Sequence, residues 1–290
     1  MNRRQFLRQT GLATGVGVAQ SLRAADAKDV AIVFNPGDPV ASAGPVKWAA
    51  GELEQALAAH GVRVHKDGAV RLLVAGAASP QARQVLRAAQ LTPPEGAEAL
   101  VLAPGLAGGS DARGAVYALL ELTDRVRFAT DAAAALEVRS AVVERPANAI
   151  RSIARCFESD VEDKAWFYDR AMWSAYLSML TTHRFNRFSL TLGLGYNFPR
   201  NVSDVYFYFA YPFLVSAPGY QVRAKGLPDA ERDRNLEMLR FIGEETVKRG
   251  LQFQLALWTH AYQWVDSPRA NDTIEGLTPA NHAAYCRDAL

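Results

Sequence analysis

The chain has 290 residues, 49% of them hydrophobic and 21% charged, and its 32 Lys and Arg against 30 Asp and Glu leave a net charge of +2. This is a globular composition, neither disordered nor membrane-embedded, and so small a charge gives no field to draw in nucleic acid or an anionic membrane. The two cysteines, Cys156 and Cys286, stand far apart without metal-ligand spacing, so neither a disulfide framework nor a metal centre is expected, though a single bridge stays open in an oxidising compartment.

In chain order, the first feature is an address. Asn2-Arg3-Arg4-Gln5-Phe6-Leu7-Arg8 precedes a weakly apolar stretch, 11–18, followed by Arg23 and the small-residue site Ala25-Asp26-Ala27. A charged start, a short apolar middle and an A-x-A end describe a secretory signal. The paired arginines before Phe-Leu resemble a twin-arginine (Tat) signal, which implies the Tat translocation machinery as a partner and a periplasmic or secreted destination. The apolar stretch falls short of the roughly 20 residues that span a bilayer. Residues 1–27 are therefore expected to be a signal peptide, with no cysteine at its cleavage site to carry a lipid.

Residues 28–144 are expected to form a small α/β layer domain. Strands are predicted over 30–34, 71–75 and 99–103, and helices over 45–60 and 111–126, with Gly61 stopping the first helix. The run Gly109-Ser110-Asp111-Ala112-Arg113-Gly114-Ala115-Val116-Tyr117-Ala118-Leu119-Leu120-Glu121-Leu122 resembles the last helix of the accessory domain that precedes the catalytic barrel in β-hexosaminidases and α-glucuronidases. That resemblance implies a non-catalytic domain packed against a barrel. The residues agree: no nucleophile and base pair is visible, and Gly108-Gly109 makes no phosphate loop. Arg113 is read as a docking residue in preference to a ligand contact.

From about residue 145 the texture changes. Arg145-Pro146-Ala147-Asn148 reads as a linker, and aromatic residues become frequent after it. Strands are predicted over 150–157, 186–193 and 251–259. A helix is predicted from the capping box Ser159-Asp160-Val161-Glu162, presenting Trp166, Trp173, Leu177 and Leu180. Another spans 229–249 with Leu236, Leu239 and Ile242 inward, and a last one is capped by Thr278-Pro279. Alternating strands and helices point to parallel pairing. The expected fold class is α/β, with a small accessory domain followed by the first part of a (β/α)8 barrel over 145–290. Such a barrel takes about 250 residues, so a truncated barrel is preferred to a smaller complete domain.

Strand alternation sorts the side chains. Arg187, Ser189, Thr191 and Gly193 share one face of the second barrel strand, and Gln252, Gln254, Ala256, Trp258 and His260 share one face of the third. These polar rows are expected to face the barrel interior, with Trp258 and His260 at the carboxyl end, where barrel enzymes bind substrate. In the first strand Arg151, Ile153, Arg155 and Phe157 oppose Ser152, Ala154 and Cys156. Arg155 is read either as a site residue or as one half of a structural ion pair. Glu158, just past the first strand, is placed to bond a sugar hydroxyl, whereas Asp160, Glu162 and Asp163 fit a capped helix start.

Arg151-Ser152-Ile153-Ala154-Arg155 resembles the arginine-bearing first strand of the hexosaminidase-like barrel. Leu180-Thr181-Thr182-His183-Arg184-Phe185-Asn186-Arg187-Phe188 resembles its entry into the second strand, and His260 stands where hexosaminidases carry a histidine. The first strand lacks the usual Arg-Gly, and Trp258-Thr259-His260 replaces the usual Pro-Gly-His. The resemblance implies a glycoside hydrolase whose paired acids follow a fourth strand, beyond Leu290. The aromatic loop with Tyr196, Phe198, Tyr206, Phe207, Tyr208, Phe209, Tyr211, Phe213 and Tyr220 reads as a sugar platform or as a lid packing its own rings. The remaining histidines lack ligand spacing, and no motif asks for a cofactor. The expectation is an exported protein acting on a glycan, with Arg155, Glu158, Trp258 and His260 as candidate binding groups. The alternative is a non-catalytic carbohydrate-binding protein with a degenerate barrel.

Overall fold

The computed structural model describes residues 29–157, 160–192, 210–257 and 274–290. The region expected to be a signal peptide therefore lies outside the described residues. No helix among the described residues is long and apolar enough to cross a membrane.

The first sheet has five strands in the order β1-β2-β4-β3-β5: β1 (Val30–Phe34), β2 (Val70–Gly76), β3 (Leu100–Ala103), β4 (Leu106–Gly109) and β5 (Val142–Glu144). β1, β2 and β4 run parallel, while β3 is antiparallel to both β4 and β5. The helices α1 (Gly44–Ala59) and α3 (Ala112–Arg127) close one face through Leu53, Leu57, Val116 and Leu119. The helix α2 (Pro80–Ala88) closes the other through Ala82 and Leu86. Sequence reading found β1, β2, β3, α1 and α3 and overlooked α2, β4 and β5. Ser79, which caps α2 by accepting from the Ala82 amide at 3.2 Å, with Pro80 in the first turn, was a readable start signal. Half of β4 is glycine, which is depleted in strands, and β5 has only three residues, too short for a periodic pattern.

The glycines of the motif before α3 have a steric cause. A Cβ on Gly114 would stand 2.1 Å from the Ala99 carbonyl oxygen, and one on Gly109 would stand 2.1 Å from the Ala115 nitrogen. Asp111 caps the helix by accepting from the Gly114 amide at 2.9 Å and also accepts from the Glu98 amide at 2.8 Å. The start of α3 is thereby drawn tightly against the entry to β3.

The second sheet holds β6 (Ser152–Phe157), β7 (Arg187–Leu192) and β9 (Gln252–Leu257), in that order, all parallel and in register. Parallel neighbours need crossovers, and helices provide them. α4 (Asp160–Phe167) and α5 (Arg170–Thr182) lie between β6 and β7, and α7 (Asp229–Lys248) precedes β9. The single helix predicted from residue 159 is two helices. Asp169 divides them, because its carboxylate accepts from the Met172 amide at 2.9 Å and starts a new helix. The buried positions of α7 are Asn235, Met238, Ile242 and Thr246; of the predicted inward residues Ile242 is buried and Leu239 packs partly buried against the core, while Leu236 does neither. Two of the four are polar, which hid part of the stripe. Each is satisfied, Asn235 by donating to the Phe213 carbonyl at 3.1 Å and Thr246 to that of Ile242 at 2.6 Å.

The core of this half is aromatic. Phe157, Phe167, Trp173, Phe188 and Phe213 are all fully buried. Each such side chain contributes roughly 1.5–3 kcal/mol through burial, and the edge-on contacts of Trp173 with Trp166 (5.6 Å) and Phe188 (5.6 Å) add to it. After the second strand the chain forms α6 (Tyr211–Leu214) and a small ribbon of β8 (Arg223–Ala224) with β10 (Ile274–Glu275). The last helix, α8 (His282–Ala289), starts one turn later than Thr278-Pro279 predicts. Thr278 and Asn281 instead bond each other's amides and close a turn before it.

Candidate functional site

The three parallel strands divide their residues between two unlike faces. Ile153, Arg155 and Phe157 align with Phe188, Leu190 and Leu192, and these with Phe253, Leu255 and Leu257. This face carries the helices. The opposite face carries Ser152, Ala154 and Cys156 against Arg187, Ser189 and Thr191, and these against Gln252, Gln254 and Ala256. The polar rows of β7 and β9 fall where strand alternation placed them.

Hydrogen bonds run across the polar face. Arg187 donates from Nε and Nη2 to Gln252 Oε1 at 3.2 and 3.0 Å, and Ser189 donates from Oγ to Gln254 Oε1 at 3.1 Å. Ser152, Ala154, Gln252 and Gln254 are exposed. Parallel sheets are ordinarily covered on both faces, so a bare polar face with mutually oriented amide, hydroxyl and guanidinium groups is the outstanding surface of this half. Such groups suit hydroxyl-rich ligands, since each offers donors or acceptors in fixed positions. No described residue of these rows is a carboxylate. Among the described residues no cluster of three His, Cys, Asp or Glu side chains is arranged to hold a metal ion.

The proposed site residues divide unevenly. Glu158, Trp258 and His260 lie outside the described residues, as do Tyr196, Phe198 and Tyr206 to Phe209 of the aromatic loop. Arg155 is described, and it lies on the helix side of the sheet. Its guanidinium sits 4.1 Å from the Trp166 ring centroid and 5.6 Å from that of Tyr176, and its Nε is buried without a hydrogen-bond partner. The geometry does not bring it together with Ser189 and Gln254, and among the described residues it has no ion-pair partner. The cause is register: Arg155 is in phase with Ile153 and Phe157, whose apolar side chains belong to the core. Of the aromatic loop, Tyr211 and Phe213 pack into that core, with Phe213 5.4 Å from Phe157.

A second constellation joins the two sheets, and its centre, Glu98, was not anticipated. Glu98 is 6% exposed and has φ +59°, a backbone conformation that non-glycine residues rarely adopt. Its Oε1 accepts from Arg113 Nη1 at 2.8 Å and from Asn186 Nδ2 at 2.8 Å; its Oε2 accepts from Tyr117 Oη at 3.1 Å and from Arg151 Nη2. Burial alone would raise the Glu98 carboxyl, but the bonds from Arg151, Asn186 and Arg113 outweigh it and hold the pKa below the ordinary glutamate range. Burial, and then the charge of Glu98, push the Tyr117 hydroxyl well above its usual range. Arg113 also donates from Nε to the Gly250 carbonyl at 2.6 Å, two residues before the strand that carries Gln252 and Gln254. The docking role read for Arg113 is the one observed. Arg249 adds a contact across the same junction, with its guanidinium 5.1 Å from the Trp48 ring centroid. The heads of all three parallel strands, at Arg151, Asn186 and Gly250, are thus tied to the first sheet.

No family model and no curated protein matches the chain. Among solved structures it is similar to a GH138 enzyme targeting pectin rhamnogalacturonan II, at a TM-score of 0.55 and 19% identity over 78% of this chain and 24% of that one. At that identity the likeness is one of fold. The chain spans about a quarter of the length of the solved structure it matches. It therefore has a mixed α/β fold like that of part of a glycoside hydrolase.

Proposed function

We propose that this chain acts on a glycan as part of a glycoside hydrolase-like protein, with the bare polar face of β6, β7 and β9 forming one wall of the glycan site. The observation that carries this reading is that face: three in-register parallel strands, helices on one side, and hydrogen-bonded Arg187, Gln252, Ser189 and Gln254 on the other. The interior of a (β/α)8 barrel would be built this way, with ligands at the carboxyl ends of the strands, beyond the level of Ser189 and Gln254. Fold similarity to a glycoside hydrolase supports the same class. The finer reading, a hexosaminidase-like or glucuronidase-like accessory domain over 28–144 and a barrel from 145 onward, rests on the sequence resemblance and belongs to this proposal.

Glu158, Trp258 and His260, which follow β6 and β9 in sequence, are assigned as glycan contacts. Arg155 is assigned an indirect part, holding α4 and α5 to the end of β6 through Trp166 and Tyr176. Glycosidases use two carboxyl groups across the scissile bond. The described polar rows carry none, so we assign the acids to residues outside these rows. Export through the twin-arginine route is part of the same proposal and rests on Arg3-Arg4 and Ala25-Asp26-Ala27. In the full-length protein, His260→Ala is expected to lower aryl-glycoside hydrolysis by about tenfold or more; an unchanged rate removes His260 from the site.

The lack of carboxylates on the described rows favours a second reading, a non-catalytic carbohydrate-binding protein. Glycan binding without turnover by the full-length protein selects it.

A further inference from the structure

We infer that the first sheet carries its own saccharide site, a cleft between the end of β1 and the outer face of α1 that suits a sugar acid. The cleft has a volume of about 520 Å³, within the range of about 300–1,000 Å³ usual for small-ligand pockets. Phe34 and Pro36 line it from the end of β1, and Lys47, Ala50, Gly51 and Glu54 line it from α1. It lies on a different sheet from the polar rows of β6, β7 and β9, and the proposed reaction does not use it.

The walls are preformed. Asp38 is buried, and its carboxylate accepts from the amides of Val40 (2.9 Å), Ala41 (3.3 Å) and Gly76 (2.7 Å). Asn35 Oδ1 accepts from the Gly37 amide at 2.9 Å, which leaves its Nδ2 as a donor at the rim. A pinned loop spares a ligand the cost of ordering it. Lys47 and Glu54 lie seven residues apart on one helix face, about 10 Å along the axis. That is too far to pair with each other, and neither has an ion-pair partner among the described residues.

These groups define the ligand chemistry. Phe34 offers an apolar surface to the ring of a sugar. Glu54 and the Asn35 amide accept and donate to hydroxyls. Lys47 supplies the charge that complements a carboxylate.

A peptide strand fits less well, although β1 is an edge. Val30 is already covered: its amide donates to the Arg63 carbonyl and its carbonyl accepts from the His65 amide, both at 2.9 Å. Asp29 faces β2, so alternation turns the peptide groups of Ile32 and Phe34 to the open edge. Pro36 has no amide hydrogen to continue that edge. The opening is shorter than the typical strand of about 5–6 residues. The choice of a saccharide rests on the reading of this chain as glycan-acting, whereas the cleft and its lining do not.

The test is titration of the full chain with glucuronate and galacturonate, and with glucose and galactose as uncharged controls, followed by calorimetry or NMR. The uronates are expected to bind weakly, with Kd on the order of 1 mM, and more tightly than the neutral sugars. Lys47→Ala is expected to weaken uronate binding by about tenfold, the loss of one charge-assisted bond. Gly51→Leu places a side chain in the cleft at a position where a Cβ meets nothing within 4 Å. Leucine also favours a helix over glycine, so this variant should keep its Tm and lose uronate binding. Failure of any uronate to bind overturns the inference, as does undiminished binding by Gly51→Leu. Uronate binding abolished by Gln254→Ala and kept by Gly51→Leu also overturns it, and leaves the polar-face reading standing. Equal affinity for uronates and neutral sugars, unaffected by Lys47→Ala, overturns the assignment of a sugar acid.

Discussion

Asn186 donates from Nδ2 to Glu98 Oε1 at 2.8 Å while its Oδ1 accepts from the Arg151 amide at 2.9 Å, so one side chain fastens the heads of β6 and β7 to a carboxylate of the first sheet. Glu98 holds an uncommon positive φ and is buried. Four side chains over-determine that conformation, which is how such backbone strain persists. The two halves are therefore joined by a hydrogen-bonded ion network, with the apolar cores of the two sheets on either side of it.

Replacing Glu98 with Gln leaves Arg113 and Arg151 facing one another across the junction without a counter-charge. The expected cost is about 3 kcal/mol, the scale of breaking a buried pair from one side, read by urea denaturation. A change below about 0.5 kcal/mol, the range of ordinary surface substitutions, would mean that the network is bypassed.

The same carboxylate fixes a pH dependence. Its folded pKa lies below the ordinary value of 4.5, so the stability it contributes is complete above that value and is lost as pH falls through the lower, folded pKa. Glu245 behaves alike, since bonds from Arg249, Lys248 and Ser174 outweigh the effect of its burial. Wild-type stability should fall steeply below about pH 4.5, and the slope should be shallower in Glu98→Gln. Parallel slopes would show that Glu98 is not depressed.

Gly114→Ala should destabilise more than its size suggests. The added methyl falls 2.1 Å from the Ala99 carbonyl oxygen, which is backbone and has little room to yield. A loss of about 2–3 kcal/mol is expected, at the upper end of overpacking costs. An unchanged Tm would show that α3 moves away from β3 freely.

Arg155→Met separates packing from binding. The methionine keeps the stem and removes both the buried Nε and the stacking on Trp166. The expected cost is about 1 kcal/mol, with glycan affinity unchanged. A loss of affinity at unchanged stability would instead place Arg155 in the site.

Much of this was legible from side-chain periodicity. Apolar and polar residues alternate strictly along β7 and, up to Leu255, along β9, so the sequence alone assigns Ser189 and Gln254 to the polar face. The buried stripe of α7 could be read only in part, at Ile242, because Asn235 and Thr246 occupy core positions by bonding to the main-chain carbonyls of Phe213 and Ile242. Arg155 shares its phase with Ile153, yet charge argued against burial; two aromatic rings resolve that conflict. Glu98 left no local signal at all. Its partners lie between 15 and 88 residues away, and only the docking of the two sheets brings them together.

The most direct test of the central claim is a glycan-binding titration of the full-length protein against its Gln254→Leu variant. Gln254 is exposed on the polar face and bonded to Ser189, so the variant removes hydrogen-bonding groups from that face without opening the core. A glycan that binds the wild type and is weakened about tenfold by the substitution is the predicted result. Glycan binding that Gln254→Leu leaves unchanged, or no binding to any member of a broad glycan panel, would contradict it.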